Sequence, residues 1–296
     1  MGIYSAWAKV RTNRYFYSNM YLDDTNFRYL ADPMTIFKGR MIAVGVFILF
    51  NIVTAMSPIL GVILALLFVI AIPYLMNKSL AFGRRMTAYK NIQFRFHGSY
   101  GEAFMVLFVW PILGVITFGI LYPMAFLKMH QYVIKNSAYG TTKFDFSATY
   151  KDYGMIFLIV IGLGIAVAIP VILINTMMPA LILISPIIIA VAYIGAILYF
   201  MVSLNNLIFN NLSIVQNKFE GSMQMMELGK VLLINFLLTV VTLGLYLPAA
   251  KVRMVKYFAS RLTLHAVVGL DSFAAAEKEN VSALGEEMGD VFDLGF

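Results

Sequence analysis

Cysteine is absent from the 296 residues. That excludes structural disulfides, thiolate chemistry and Cys-ligated metals, and leaves the compartment open. Charge is nearly as scarce: Asp, Glu, Lys and Arg make up 12% of the chain, against about 25% in an ordinary soluble domain. Nothing after Met1 reads as a signal peptide, because aromatic and basic residues stand where an apolar h-region would be. What fills the chain instead is apolar surface, with 61% hydrophobic residues and a mean hydropathy of +0.82. A soluble globule of this length would have too few polar side chains to cover that surface. A cytosolic enzyme and a disordered protein are therefore not expected, and a polytopic membrane protein is.

The net charge of +7 conceals an asymmetry. Residues 266–296 hold seven acids (Asp271, Glu277, Glu279, Glu286, Glu287, Asp290, Asp293) and one base, Lys278, which leaves 21 bases against 8 acids in residues 1–265. No Asp, Glu, Lys, Arg or His occurs in 41–77, 103–127, 153–217 or 231–250. The bases flank hydrocarbon-length runs, a pattern that fits anionic lipid headgroups as partners and not nucleic acid.

A helix needs about 20 apolar residues to cross a hydrocarbon core about 30 Å thick. The run 41–77 is broken at Ser57-Pro58 and fits two antiparallel spans. The run 153–217 is broken near Asn175-Thr176-Met177-Met178-Pro179 and fits two more, at 155–175 and 180–202. Segments 103–127 and 231–247 are each long enough to cross once. This gives an all-α polytopic membrane protein of about six apolar segments; their continuous hydrophobicity excludes a β-barrel. Pro111, Gly114, Gly119 and Pro123 interrupt one single segment, and Thr242-Leu243-Gly244 and Pro248 end the other. Each is either a kinked span or a re-entrant pair of half helices. The positive-inside rule favours the re-entrant form, with bases and tail in the cytoplasm.

Self-comparison indicates internal repeats. Gly2-Ile3-Tyr4 through Lys9-Val10-Arg11 and Tyr15-Phe16 recurs at an offset of 242 as Gly244-Leu245-Tyr246 through Lys251-Val252-Arg253 and Tyr257-Phe258. A weaker copy starts at Gly119-Ile120, and Thr117 and Glu102 match Thr242 and Glu227 at an offset of 125. A second element places Phe27, Phe94, Phe144 or Phe219 eight residues after Asn19, Met86, Asn136 or Asn211. Its period-2 patterning around Asp23-Asp24 or Gly140-Thr141-Thr142 reads as four short β-hairpins at the membrane surface, able to pair into a small sheet. The expected organisation is a membrane domain over 1–265, built of units 1–96, 97–221 and a partial 222–265. An acidic, disordered tail over 266–296 follows, whose closing apolar-acidic alternation is suited to dock on a basic surface.

The Gly-Ile-Tyr-x-x-Trp-Ala-Lys-Val-Arg block, Phe94-Arg-Phe-His-Gly-Ser-Tyr-Gly-Glu and Thr242-Leu-Gly-Leu-Tyr-Leu-Pro resemble the signature of the YjgN-like family of bacterial inner-membrane proteins. The resemblance covers most of the chain. That family is a domain of unknown function, so it implies an inner-membrane location and a fold but no reaction. It also leads one to expect an apolar segment before the first Gly-Ile-Tyr block, where this chain begins.

Three groups of residues are candidate sites. Lys9, Arg11 and Arg14, with Lys251, Arg253 and Lys256, either anchor topology by snorkelling or contact headgroups and anions. Glu102, Asp152 and Glu227 stand at helix starts, as caps or as proton-coupling acids. Asn51, Asn175 and Asn235 serve as helix–helix glue or line an intramembrane polar path. His97, His130 and His265 lack ligand spacing, so no metal, cofactor or catalytic set is assigned. Two functions remain: a permease-like protein for a small solute or lipid, and a non-catalytic scaffold or anionic-lipid-binding protein.

Overall fold

The computed structural model describes residues 4–178, 182–267 and 269–293, the side chains of the last segment as far as residue 282. In chain order the elements are α1 (Ser5–Ser18), β1 (Tyr21–Leu22), β2 (Thr25–Tyr29), α2 (Pro33–Met56), α3 (Pro58–Arg85), β3 (Thr87–Tyr89) and β4 (Ile92–Phe96). Then come α4 (Tyr100–Phe104), a π-helical turn (Met105–Val109), α5 (Trp110–Ile116), α6 (Tyr122–Lys135), β5 (Ser137–Tyr139), β6 (Thr142–Lys143) and β7 (Asp145–Phe146). The remainder is α7 (Tyr150–Met177), α8 (Ser185–Asn210), β8 (Leu212–Ile214), β9 (Asn217–Gly221), α9 (Met225–Val241), α10 (Leu247–Ser260), β10 (Leu262–His265) and α11 (Leu270–Asp293). The chain divides into two units: Met1–Val109, Lys135–Phe144 and Val268–Phe296 form the first, and Trp110–Ile134 with Asp145–Val267 the second.

In the first unit, Asp32 caps α2 by accepting from Met34 N at 2.9 Å, with Pro33 opening the helix. Ser57 is extended (φ −151°, ψ 112°), so it ends α2 and its hydroxyl caps α3. The two helices fold back on each other, with Phe50 and Phe68 ring centroids 5.6 Å apart. Leu30 N donates to Met86 O at 2.8 Å, so the pair ends where it began. Six antiparallel strands follow the order β1-β2-β3-β4-β5-β6. Asp23-Asp24 and Lys90-Asn91 turn the first two hairpins through left-handed pairs (φ 48° and 56°, 46° and 66°), the conformation that suits the twist of two-residue hairpins. Gly140 (φ 61°) turns the third. Cross-strand aromatic pairs Phe27–Tyr89 (4.9 Å) and Phe94–Tyr139 (5.2 Å) set the register.

The second unit carries an antiparallel sheet in the order β10-β9-β8-β7. Phe126, Phe157 and Phe200 meet edge to face at 5.4–5.8 Å, beside buried Leu127, Phe146 and Tyr153. A second cluster joins Val202, Met223, Leu228 and Tyr257. Ser147 N donates to Asn211 O at 3.0 Å, closing the α7–α8 pair as Leu30 closes α2–α3. All four hairpins are present, but they belong to two sheets and not to one. Phe144 separates β6, which stays in the six-stranded sheet, from β7, which pairs with β8.

Four helices, α2, α3, α7 and α8, are long and apolar enough to cross a membrane (24, 28, 28 and 26 residues). Their best windows are at most 11% buried, and no residue of α2 is buried. The other two of the six expected segments fall short. Tyr100–Ile116 and α9 each run 17 residues, about 25 Å at 1.5 Å per residue. Their charge-free runs extend through turns at Phe118-Gly119 and Leu243-Gly244 into the next helix, so run length overstates helix length. Pro179 and the expected span start at Ala180 lie outside the described residues.

Within the segment expected as a disordered tail, Leu270–Asp293 is helical. Its anchors are Asp271, Phe273 and Glu277, while the alternation at 289–296 lies where no side chain is described. Phe273 stacks on Tyr139 at 5.9 Å, and Asp271 pairs with Lys90 at 2.6 Å. Glu277 is 2% exposed and accepts from the backbone N–H and hydroxyl of both Thr141 and Thr142. An apolar and acidic face needs this partner surface before it orders, and composition alone does not reveal the partner.

Two outcomes follow. A Cβ on Gly61 would stand 2.7 Å from Thr54 Oγ1. Gly61→Val is therefore expected to cost about 1–3 kcal/mol by overpacking, read as a lower Tm in detergent, while Gly39→Val, which faces open space, leaves it unchanged. Burial alone would raise the Glu277 carboxyl, but its four hydrogen bonds outweigh burial and bring it below the ordinary carboxylate value. A lowered carboxyl stabilises docking above the unfolded value, and that contribution is lost as pH falls through the lowered one. Lys90, raised chiefly by its bond to Asp271, and Tyr89 and Tyr139, raised chiefly by burial, already carry their protons at neutral pH and do not change state in acid; the carboxylates Asp23 and Asp271 face Lys90 in the same place. Amide hydrogen exchange over residues 270–282, measured at each pH and corrected for the intrinsic rate, should rise in acid below the usual Glu range and stay slow at neutral pH.

Candidate functional site

The second unit contains a short helical hairpin whose polar groups are not all used. At its tip Thr242 Oγ1 donates to Leu238 O (2.7 Å) and accepts from Tyr246 N (3.0 Å), bridging the end of α9 to the start of α10. Leu243 (φ 49°) and Gly244 (φ 92°) make the reversal, and Gly244 N reaches back to Thr239 O at 2.8 Å. Thr117 does the same between α5 and α6, donating to Leu113 O (2.7 Å) and accepting from Leu121 N (3.2 Å), with Phe118 and Gly119 at φ 51° and 95°. The helix α10 then runs back along α9. Asn235 Nδ2 donates to Ala250 O at 3.3 Å, and Tyr257 OH bridges the backbone O and N of Gln224 at 3.0 and 3.1 Å. Ser222 N closes the neck on Arg261 O at 2.9 Å. In the first unit His97 N closes on Asn136 O at 2.8 Å, so the segment that leaves at Tyr100 also returns.

One face of α10 carries Tyr246, Ala250 and Arg253, spaced as neighbours on a helix. The Arg253 guanidinium lies 5.6 Å from the Tyr246 ring centroid, a cation–π distance. Its Nη1 is buried with no partner among the described residues. Asn235, 8% exposed, spends its Nδ2 on Ala250 while its Oδ1 is likewise buried and unpartnered. Buried groups left this way cost about 1–3 kcal/mol each; the two here are a cationic donor on α10 and an amide carbonyl on α9. Lys251 and Lys256 on the same helix are exposed.

The remaining sequence candidates are placed as follows. On α1, Lys9 and Arg11 are exposed, and Arg14 donates to Ala31 O at 3.1 Å. Arg11, which matches Arg253 at the offset of 242, therefore stands in a different environment. Glu102 closes a capping box with Ser99 and accepts from Asn136 Nδ2 at 3.2 Å. Asp152 closes one with Thr149 (2.7 and 2.8 Å). Glu227 instead pairs with Arg261 at 2.5–2.6 Å. Asn51, in the first unit, is exposed and bonds its own helix at Phe47 O (2.7 Å). Asn175, in the second, is half-buried, and its Oδ1 has no partner among the described residues. Sequence reasoning missed Arg261 and Tyr257 in this hairpin. The offset of 125 that aligns Glu102 with Glu227 also aligns Asn136 with Arg261, and was the signal available.

Among the described residues, four long helices with exposed apolar surfaces define a helical membrane protein. The chain belongs to the family described as bacterial protein of unknown function (DUF898), whose model matches residues 1–291. It is similar to inner membrane protein YjgN of Salmonella typhimurium (strain LT2), 25% identical over 325 residues that cover 88% of this chain and 80% of that protein. It is also similar to inner membrane protein YjgN of Escherichia coli O157:H7, 28% identical over 131 residues (44% of this chain, 33% of that protein), and of Escherichia coli strain K12, 29% over 123 residues (41% and 31%). These relatives support an inner-membrane location. No solved structure matches the chain.

The unpartnered Asn235 Oδ1 makes a stability prediction. Asn235→Leu gives up one 3.3 Å hydrogen bond and relieves one buried, unmade one. Unfolding in detergent should stay within about 1 kcal/mol of the parent or rise above it; a loss beyond about 2 kcal/mol would show that Oδ1 has a structural partner.

Proposed function

We propose that this protein is a multi-pass inner-membrane protein that binds the phosphate of anionic lipid headgroups at α10. The reading places α2–α3 and α7–α8 across the bilayer, and the α4–α6 segment and α9–α10 as re-entrant hairpins. The strands of each unit then lie at the cytoplasmic surface, where its bases gather. The matched Thr117 and Thr242 turns support reading the chain as internally repeated. The single observation that carries the proposal is the Arg253 guanidinium, with its Nη1 buried and unsatisfied beside Tyr246. A planar, always charged fork suits a phosphate oxygen, and exposed Lys251 and Lys256 add attraction without fixed geometry. No enzymatic role and no nucleic-acid partner is part of this reading.

A permease-like role for a small solute or lipid is the second reading. It is favoured by the two broken-helix turns, the kind of half-helix termini from which transporters build midplane sites. Asn51 gives it no support, since its amide is spent on its own helix.

Native mass spectrometry of detergent-purified protein offered phosphatidic acid tests the headgroup proposal. Arg253→Gln should reduce retained lipid about fivefold, the worth of roughly 1 kcal/mol per base at the surface, whereas Arg11→Gln at the matching place on α1 should not. Equal retention in Arg253→Gln and the parent overturns it. Phosphatidic acid that is bound and also flipped between leaflets of proteoliposomes would promote the permease reading.

A further inference from the structure

A second anion site lies in the first unit, in the turn Tyr139-Gly140-Thr141-Thr142 between β5 and β6, and it is already filled. Four donors converge on one carboxylate. Glu277 Oε1 accepts from Thr141 N, Thr141 Oγ1 (2.5 Å) and Thr142 N (3.2 Å), and Oε2 accepts from Thr142 Oγ1 (2.7 Å). Gly140 (φ 61°) makes room: a Cβ there would collide with the Glu277 carboxylate. Successive backbone N–H groups presented by a turn, reinforced by hydroxyls, form the concave nest that holds phosphate in many proteins.

The rest of the dock is slight. Phe273 lies on Tyr139, Ala274 is buried, and Asp271 reaches Lys90 while remaining 89% exposed. Residues 275, 276 and 278–280 are exposed. An element held by so few buried contacts belongs to the low end of local stability. Its two anchoring acids together carry the charge of one phosphate dianion, and when they leave, Lys90 loses its Asp271 partner. Lys90 borders the same aromatic row, 5.5 Å from the Tyr89 ring, whose backbone O accepts from Tyr139 OH at 3.1 Å.

We infer that the β5–β6 turn is a phosphate-binding site that Glu277 occupies as a built-in competitor, so that a phosphate group entering it releases α11. The ligand class is a phosphate group, either free in solution or esterified in a lipid headgroup. This inference is independent of the α10 niche, which belongs to the other unit.

The experiment uses the full chain in detergent and inorganic phosphate as the probe. Tryptic cleavage after Lys278, which is exposed on α11, should run several-fold faster in millimolar phosphate than in chloride of equal ionic strength. Isothermal titration should show Glu277→Ala binding phosphate about tenfold more tightly than the parent, by removing the competitor. Adding Thr141→Val and Thr142→Val should abolish that gain. Phosphate-free nanodiscs with or without phosphatidic acid separate the two sources: faster cleavage only with phosphatidic acid, together with no effect of inorganic phosphate, assigns the site to a lipid headgroup. Cleavage unchanged by both phosphate sources in the parent, or a triple variant that binds phosphate as well as Glu277→Ala, overturns the inference. Because the parent is itself a readout, a Glu277→Ala chain that fails to fold does not rescue the idea.

Discussion

One backbone hydrogen bond, made four times, underlies this fold. Each time the third residue before a helical pair donates its N–H to the carbonyl of the residue just after it: Leu30 to Met86, His97 to Asn136, Ser147 to Asn211 and Ser222 to Arg261, at 2.8–3.0 Å. Hydrocarbon supplies no partner for a peptide group, so a segment entering it must satisfy its backbone internally and return or cross as helix. The four clasps bring each pair back to the strand that launched it. That is why strands follow helices without long loops, and why short strands that would be marginal as lone hairpins find neighbours. Two clasps lie in each unit, one closing a long pair and one closing a short one.

The short pairs show what the long ones do not need. The long pair α2 and α3 reverses at extended Ser57, and each of its helices is long enough to reach across hydrocarbon. A 17-residue helix reverses earlier, and there its last carbonyls and the next N–H groups must find partners within the turn. Thr117 and Thr242 do this with one hydroxyl each, donating backwards and accepting forwards, while a left-handed glycine lets the chain double back. Serine has the same hydroxyl, but the β-branched threonine side chain is stiffer at χ1 and loses less freedom when fixed in such a bridge.

Much of this was legible in one sequence because the signals are local. Asp23-Asp24 and Gly140-Thr141-Thr142 are turn sequences, Ser57-Pro58 is a break between helices, and Glu102 and Asp152 are acids at helix starts; each needs only its own neighbours. Helix length was not legible, because hydropathy does not change where Leu243-Gly244 reverses the chain. The order of residues 270–293 was missed for a different reason. Glu277 reads as a solvated acid until Thr141 and Thr142, well over a hundred positions earlier, supply its donors. Arg253 was named as a candidate, but its matched partner Arg11 is exposed. Offset arithmetic finds equivalent positions and not equivalent burial.

Polar accounting separates the two anion-binding places. At the β5–β6 turn every donor is matched: two N–H groups and two hydroxyls meet one carboxylate, and the complex is closed within the chain. At α10 the account does not balance, since a guanidinium nitrogen and an amide oxygen are withdrawn from water without a partner among the described residues. A protein can hold a satisfied buried anion for structure alone, because the hydrogen bonds offset desolvation. At Arg253 the Tyr246 ring offsets part of that cost, while Nη1 itself is left without a partner among the described residues. On the proposed reading, a phosphate oxygen from outside the chain closes the open account at Arg253. The closed one at Glu277 is complete without a ligand, so under the inference drawn for that turn phosphate binds only by displacing the carboxylate.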